Sequence, residues 1–153
     1  KPITLTAQDS LIEQLAFKPF RSAVERRAAQ YQPSDPTHTL DVNTPWGETL
    51  TAEKGDYLVS ELDSPEDMWP VEQDIFEETY LLTRPGFCTK KALTYLVPMT
   101  DVTGGNPDQM VTIHTLEGVE TVRAGDFYLA RGVRGEIWAY PRDKRGELMP
   151  ALP

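Results

Sequence analysis

The sequence predicts an α+β chain, mainly β, built as two tandem small modules, each a bent sheet or partly open barrel with short helices, packed as one compact unit. Three observations lead there. A Gly-Asp-aromatic strand at Gly55 returns at Gly125 with its surroundings. Short apolar–polar alternations are separated by turn residues, which is strand patterning. The 153 residues are 39% hydrophobic and 25% charged, the balance of a folded chain rather than a disordered one.

Taken in order, Asp9-Ser10 precedes Leu11-Ile12-Glu13-Gln14-Leu15. Ser10 and Glu13 have capping-box spacing, so a short helix with Leu11, Ile12 and Leu15 on its apolar side is expected. The stretch Gln30–Pro36 breaks periodicity and reads as a loop. Leu40 and Val42 then alternate with Asp41 and Asn43 as a strand. After the turn Thr44-Pro45-Trp46-Gly47 come Gly55-Asp56-Tyr57-Leu58-Val59, an acidic loop, Met68-Trp69-Pro70-Val71, and a short helix. Asp74 is its expected cap, Glu77 the capping-box partner, and Phe76 and Tyr80 share a face at i, i+4.

The second pass repeats this order. Val111-Thr112-Ile113-His114 alternates like Leu40–Asn43, Thr115-Leu116-Glu117-Gly118 answers Thr44–Gly47, and Gly125-Asp126-Phe127-Tyr128-Leu129 answers Gly55–Val59. Ile137-Trp138-Ala139-Tyr140 falls where Met68–Val71 stood, so the two tryptophans are expected to recur in the core. Lys144, Arg145 and Gly146 replace Ile75, Phe76 and Glu77, and the second helix is lost. The expected division is a helix and lead-in over 1–16, a first module over 17–83 and a second over 87–150.

The run Gly125–Trp138, which contains Gly132-Val133-Arg134-Gly135-Glu136, resembles the core of the PGDYG-type proteins of phages, prophages and bacteria, and so does Thr115–Gly118 before it. Met68–Tyr80, with Asp74-Ile75-Phe76-Glu77-Glu78-Thr79-Tyr80, resembles the end of the same pattern. The resemblance covers most of 40–83 and 88–142 and implies two divergent tandem copies. It departs at Glu53-Lys54, at Ser64-Pro65-Glu66-Asp67 and in the second copy's ending. The family has no assigned activity, so the resemblance implies an architecture and phage-linked or accessory biology.

Few residues announce chemistry. Gly55-Asp56 and Gly125-Asp126 suit tight turns, with Gly at positive φ and Asp bonding nearby N–H groups. The single cysteine, Cys88, excludes an internal disulfide and a cysteine-cluster metal site. Lys90 and Lys91 beside it raise the alternative of an activated thiol, and an inert linker cysteine is the expectation. His38 and His114 lack a second ligand at metal spacing, so no metal is expected. Gly104-Gly105 is a turn without the Gly-Lys-Ser/Thr of a phosphate loop. No catalytic residue and no cofactor are assigned. The remaining ligand-binding set is His114, Asp126, Arg131, Arg134 and Trp138, gathered in one cleft with the arginines receiving an anionic substrate.

Charge is more informative. The net charge is −9, and between Lys54 and Arg84 stand nine acids and no base. Nucleic-acid binding draws on Lys and Arg, so direct binding of nucleic acid, or of an anionic membrane, is not expected. The acidic segment is a solvated face or a docking surface formed by Glu61, Asp63, Glu66, Asp67, Glu72 and Asp74. No run reaches the roughly 18 apolar residues of a membrane span, and Lys1–Thr6 lacks a signal-peptide core. The expectation is a soluble, cytoplasmic, non-catalytic interaction protein, monomer or homodimer, with a protein partner or self-association through the acidic segment. A small-molecule or nucleotide-binding module using the second half's arginines, and an acidic inhibitor that mimics nucleic acid, are the alternatives.

Overall fold

A computed structural model describes residues 1–151. The chain runs through β1 (Ile3–Leu5), α1 (Ser10–Gln14), β2 (Lys18–Ser22), β3 (Arg26–Gln30), β4 (Leu40–Asn43), β5 (Thr49–Ala52), β6 (Tyr57–Glu61), β7 (Met68–Val71), α2 (Gln73–Thr79), β8 (Tyr80–Arg84) and β9 (Phe87–Lys90). It continues through β10 (Thr94–Pro98), β11 (Met110–Thr115), β12 (Gly118–Arg123), β13 (Phe127–Arg131), β14 (Ile137–Pro141) and β15 (Leu148–Pro150). The fold is mainly β with few short helices, as expected. Among the described residues no helix is long and apolar enough to cross a membrane.

Two units divide the chain. One is Ser22–Ala92; the other joins Lys1–Arg21 to Leu93–Pro153. The first is inserted into the second. These limits differ from the expected 16, 83 and 87, because the N-terminal segment is no separate lead-in. β1 runs parallel to β11, with Leu5 opposite Ile113, and β2 pairs antiparallel with β10, with Phe20 opposite Thr94. Leu5 and Ile12 are buried in the core of that unit, together with Val97, Met99, Val111, Ile113 and Leu129.

The duplication is visible in the sheets. In the inserted unit the strand order is β7-β6-β3-β9-β8, and in the outer unit it is β14-β13-β10-β2-β15. Each strand thus has a counterpart in the same place. β2, from the start of the chain, stands where β9 closes the inserted unit. The hairpins β4–β5 and β11–β12 correspond as well, the latter extended by β1. The helix α2 has only a 3-10 turn, Arg142–Glu147, as its counterpart.

Register corrects the tryptophan equivalence. Trp69 lies opposite Val59, and the residue opposite Leu129, the counterpart of Val59, is Ala139. Trp138 lies one residue earlier, opposite Ala130, and its counterpart is Met68. Side chains alternate along a strand, so the two indoles leave opposite faces. Trp69 packs on the core of Ala28, Val59, Phe76 and Cys88, and Ala139 packs on the outer unit's core. Trp138 is half-buried outside it.

Local expectations fare unevenly. Phe76 and Tyr80 do share a face, their rings stacked at 5.0 Å. Neither capping box forms. The Asp9 carboxylate turns back to the N–H and hydroxyl of Thr6, and Glu13 reaches Arg131 instead. In α2 the residue before the helix is Glu72, with no side-chain cap; Asp74 sits in the first turn, where a carboxylate favours the helix dipole.

Candidate functional site

The Gly-Asp pairs are turn elements with different local reasons. Gly55 has φ +96°, and Asp56 accepts from the Glu53 N–H at 2.8 Å. Gly125 has no positive φ; a Cβ there would stand 2.9 Å from Pro107 Cβ, and its N–H donates to the Pro107 carbonyl at 2.8 Å. Asp126 pairs with Arg123 at 3.0 Å, and Arg123 also grips Asp108 at 2.7 Å. The Asp108 hydrogen bond is the main cause that raises the guanidinium's pKa; burial opposes it, and the charges of Asp126 and Asp108 add to the rise.

The ligand set expected in one cleft is dispersed. Arg131 donates to Glu13 at 2.8 Å and lines a hollow of about 310 Å³ with Phe17, Tyr95 and Val133. Arg134 is exposed on the turn between β13 and β14 and makes no ion pair among the described residues. Asp126 is held at the other end of β13. His114 is exposed at the end of β11, as its strand phase predicts, and borders a hollow of about 260 Å³. Trp138 lines a different hollow, of about 410 Å³, with Thr115, Leu116, Glu117, Glu120, Glu136, Ile137 and Ala139. Its charged lining is acidic. An anionic substrate held by Arg131 and Arg134 beside Trp138 is therefore not supported by the geometry.

The acidic set also separates. Strands β6 and β7 form a hairpin, with Ser60 opposite Met68 at the turn end and Tyr57 opposite Val71 at the other, about 10 Å apart by strand rise. Asp63, Glu66 and Asp67 are exposed on the turn. Glu61 is not free, because it accepts from Arg26 at 3.0 Å. Glu72 and Asp74 lie at the opposite end. There a hollow of about 490 Å³ is lined by Thr51, Glu53, Asp56, Glu72, Gln73 and Asp74, with no Lys or Arg. Glu53 was not singled out by the sequence, since only β5 returning beside α2 brings it to Glu72 and Asp74, and no spacing along the chain signals that.

Cys88 is buried in the core of the inserted unit, and burial pushes its thiol pKa up. The lysines that follow do not activate it: the Lys91 ammonium donates to the Glu77 carbonyl at 2.7 Å. Among the described residues no group of three or more His, Cys, Asp or Glu is arranged to hold a metal. Compared with known proteins, the chain matches no family model, no curated protein and no solved structure.

Proposed function

We propose that this is a non-catalytic interaction protein that docks a basic protein partner at the acidic end of its inserted unit. One observation carries the reading. Four carboxylates, from Glu53, Asp56, Glu72 and Asp74, line one concave surface that holds no Lys or Arg, and all but Glu53 belong to the segment between Lys54 and Arg84, which carries no base. Carboxylates left without cationic partners steer a basic surface into place and reject acidic ones. The resemblance to PGDYG-type proteins supports an accessory, phage-linked setting for such docking, in the cytoplasm.

The test is co-purification with the untagged protein, analysed by native mass spectrometry, for the wild type and a Glu53→Gln, Glu72→Gln, Asp74→Asn variant. A basic partner retained by the wild type, released by salt and lost by the variant is the expected result. Retention of the same partner by the variant overturns the docking site. A small adduct in place of a protein partner moves the reading to a ligand-binding module.

A further inference from the structure

The two five-stranded sheets have four outer strands, and three of them are guarded. β7 contains Pro70, which has no N–H to offer, and β4 and β5 pack against it. On β14 the Ala139 N–H donates to Glu120 at 3.1 Å, and on β15 the Leu148 carbonyl accepts from Arg145 at 3.0 Å, with Pro150 two residues on. Such devices keep an edge from recruiting another strand. β8 has no proline, no strand on its outer side among the described residues, and two exposed leucines, Leu81 and Leu82.

The phase of the backbone fixes which groups stand on that open edge. The Lys91 N–H donates to the Thr79 carbonyl at 2.9 Å, in the register that sets Tyr80 opposite Lys90 and Leu81 opposite Thr89. In an antiparallel pair only every second residue bonds its neighbour. Thr79 and Leu81 therefore turn their backbone groups to β9, and Tyr80 and Leu82 turn theirs outwards. The Tyr80 N–H agrees, since it donates to the Phe76 carbonyl at the end of α2. The Leu82 N–H and carbonyl and the Tyr80 carbonyl are left facing out.

Two features make this edge complementary to itself. Leu82, 52% exposed, lies opposite Cys88, whose side chain belongs to the core, so Leu82 carries the apolar face past the last paired strand. The strand is also charged in opposite senses at its two ends: the exposed Glu77 and Glu78 lead into it, and Arg84, 57% exposed, closes it. Antiparallel pairing of two such strands sets unlike ends together, and parallel pairing sets like ends together. The bulge between Leu82 and Arg84 keeps the regular contact short and close to Leu82.

We propose that two copies of this chain associate through β8, antiparallel, about a two-fold axis at Leu82. Each Leu82 exchanges both backbone hydrogen bonds with Leu82 of the second copy, and their side chains meet. Arg84 then falls opposite Tyr80 of the second copy, towards its Glu78. A strand of five residues on each side makes an interface below the standard size, so the dimer is weak and forms only as concentration rises. None of these residues belongs to the docking end, and the two readings fail separately.

Analytical ultracentrifugation of the whole chain, from micromolar to millimolar concentration, reads the association. The mass is expected to rise from one chain towards two. Leu82→Lys and Leu82→Glu each set like charges across the axis, which disfavours pairing. Each is expected to weaken association about tenfold or more with an unchanged circular dichroism spectrum. Mixed in equal amounts, the two variants are expected to associate again, because unlike charges then meet at the axis. Val119 is 62% exposed on β12, away from β8, and Val119→Lys is expected to leave the dimer as it was. A single chain at every concentration, a dimer that survives Leu82→Lys or is lost in Val119→Lys, or variants that stay apart when mixed overturns the proposal.

Discussion

The Glu136 carboxylate occupies the space where a Cβ on residue 132 would stand, so Gly132 and Glu136 are fitted to each other. The Gly132 N–H donates to the Glu136 carbonyl at 2.9 Å, and the carboxylate folds back to the Arg134 N–H. Gly132 has no positive φ, so its need for glycine is the space alone. Gly132→Ala is expected to swing the carboxylate away and to cost about 1 kcal/mol, the net worth of one such hydrogen bond. In a Glu136→Ala background the same change is expected to cost almost nothing. A double-mutant cycle by urea denaturation reads the coupling, and additive costs would sink the explanation.

Three rings form the centre of the inserted unit. Phe76, 2% exposed, stacks on Tyr57 at 3.8 Å and on Tyr80 at 5.0 Å. Phe76→Ala is expected to cost about 3–5 kcal/mol. Its neighbour Ile75 is 49% exposed, and Ile75→Ala is expected to stay within about 0.5 kcal/mol. Equal losses in thermal or urea unfolding would mean that α2 does not bury the face described.

Cys88 offers a direct probe of the same core. Its side chain is fully buried, and burial holds its thiol above the ordinary pKa. The thiolate, the reactive form, is expected to be scarce and inaccessible in the native protein. Reaction with an aromatic disulfide reagent at pH 8 should be slow and should accelerate on addition of urea in step with unfolding. Rapid reaction in buffer would contradict the buried position.

Two surface carboxylates give the acid limb a sign. The Arg84 hydrogen bond, with Thr83 adding a second, holds Glu25 below its usual pKa, and the Thr37 N–H and hydroxyl do the same for Asp35. A carboxyl whose folded pKa is depressed stabilises the fold above its unfolded pKa and loses that contribution as pH falls through the folded value. Stability should therefore decline as pH falls from about 5 towards 3. Glu25→Gln and Asp35→Asn should each flatten that decline without changing its direction. An unchanged profile in both variants would remove these two sites from the acid response.

The repeated turns and strands were legible because each is set by neighbours along the chain. Val111 and Ile113 alternate with Thr112 and His114, and the structure buries the first pair and not His114. What the sequence hid depends on pairing at a distance. Nothing local says that Lys18–Ser22 closes a sheet begun at Thr94, or that β5 brings Glu53 beside Asp74. The tryptophans show how small the hidden quantity is. One residue of register separates Trp138 from the counterpart of Trp69, and in a strand one residue is a change of face. The cleft expected around Arg131 and Arg134 failed for a related reason: α1 returns to the sheet and takes the Arg131 guanidinium with Glu13.

The position of β2 sets an order of events during synthesis. The inserted unit is contiguous, so once β9 has left the ribosome every strand of its sheet is present. β2 is made earlier, yet its partner β10 is encoded after the whole inserted unit. The newborn chain must carry β2 unpaired past a unit that already possesses β9, the strand of the same place in the corresponding sheet. Nascent chains fold unit by unit as they emerge, and here the later strand is served first. The duplicated strand that makes the two sheets alike is also the one a half-made chain is most exposed to mispairing.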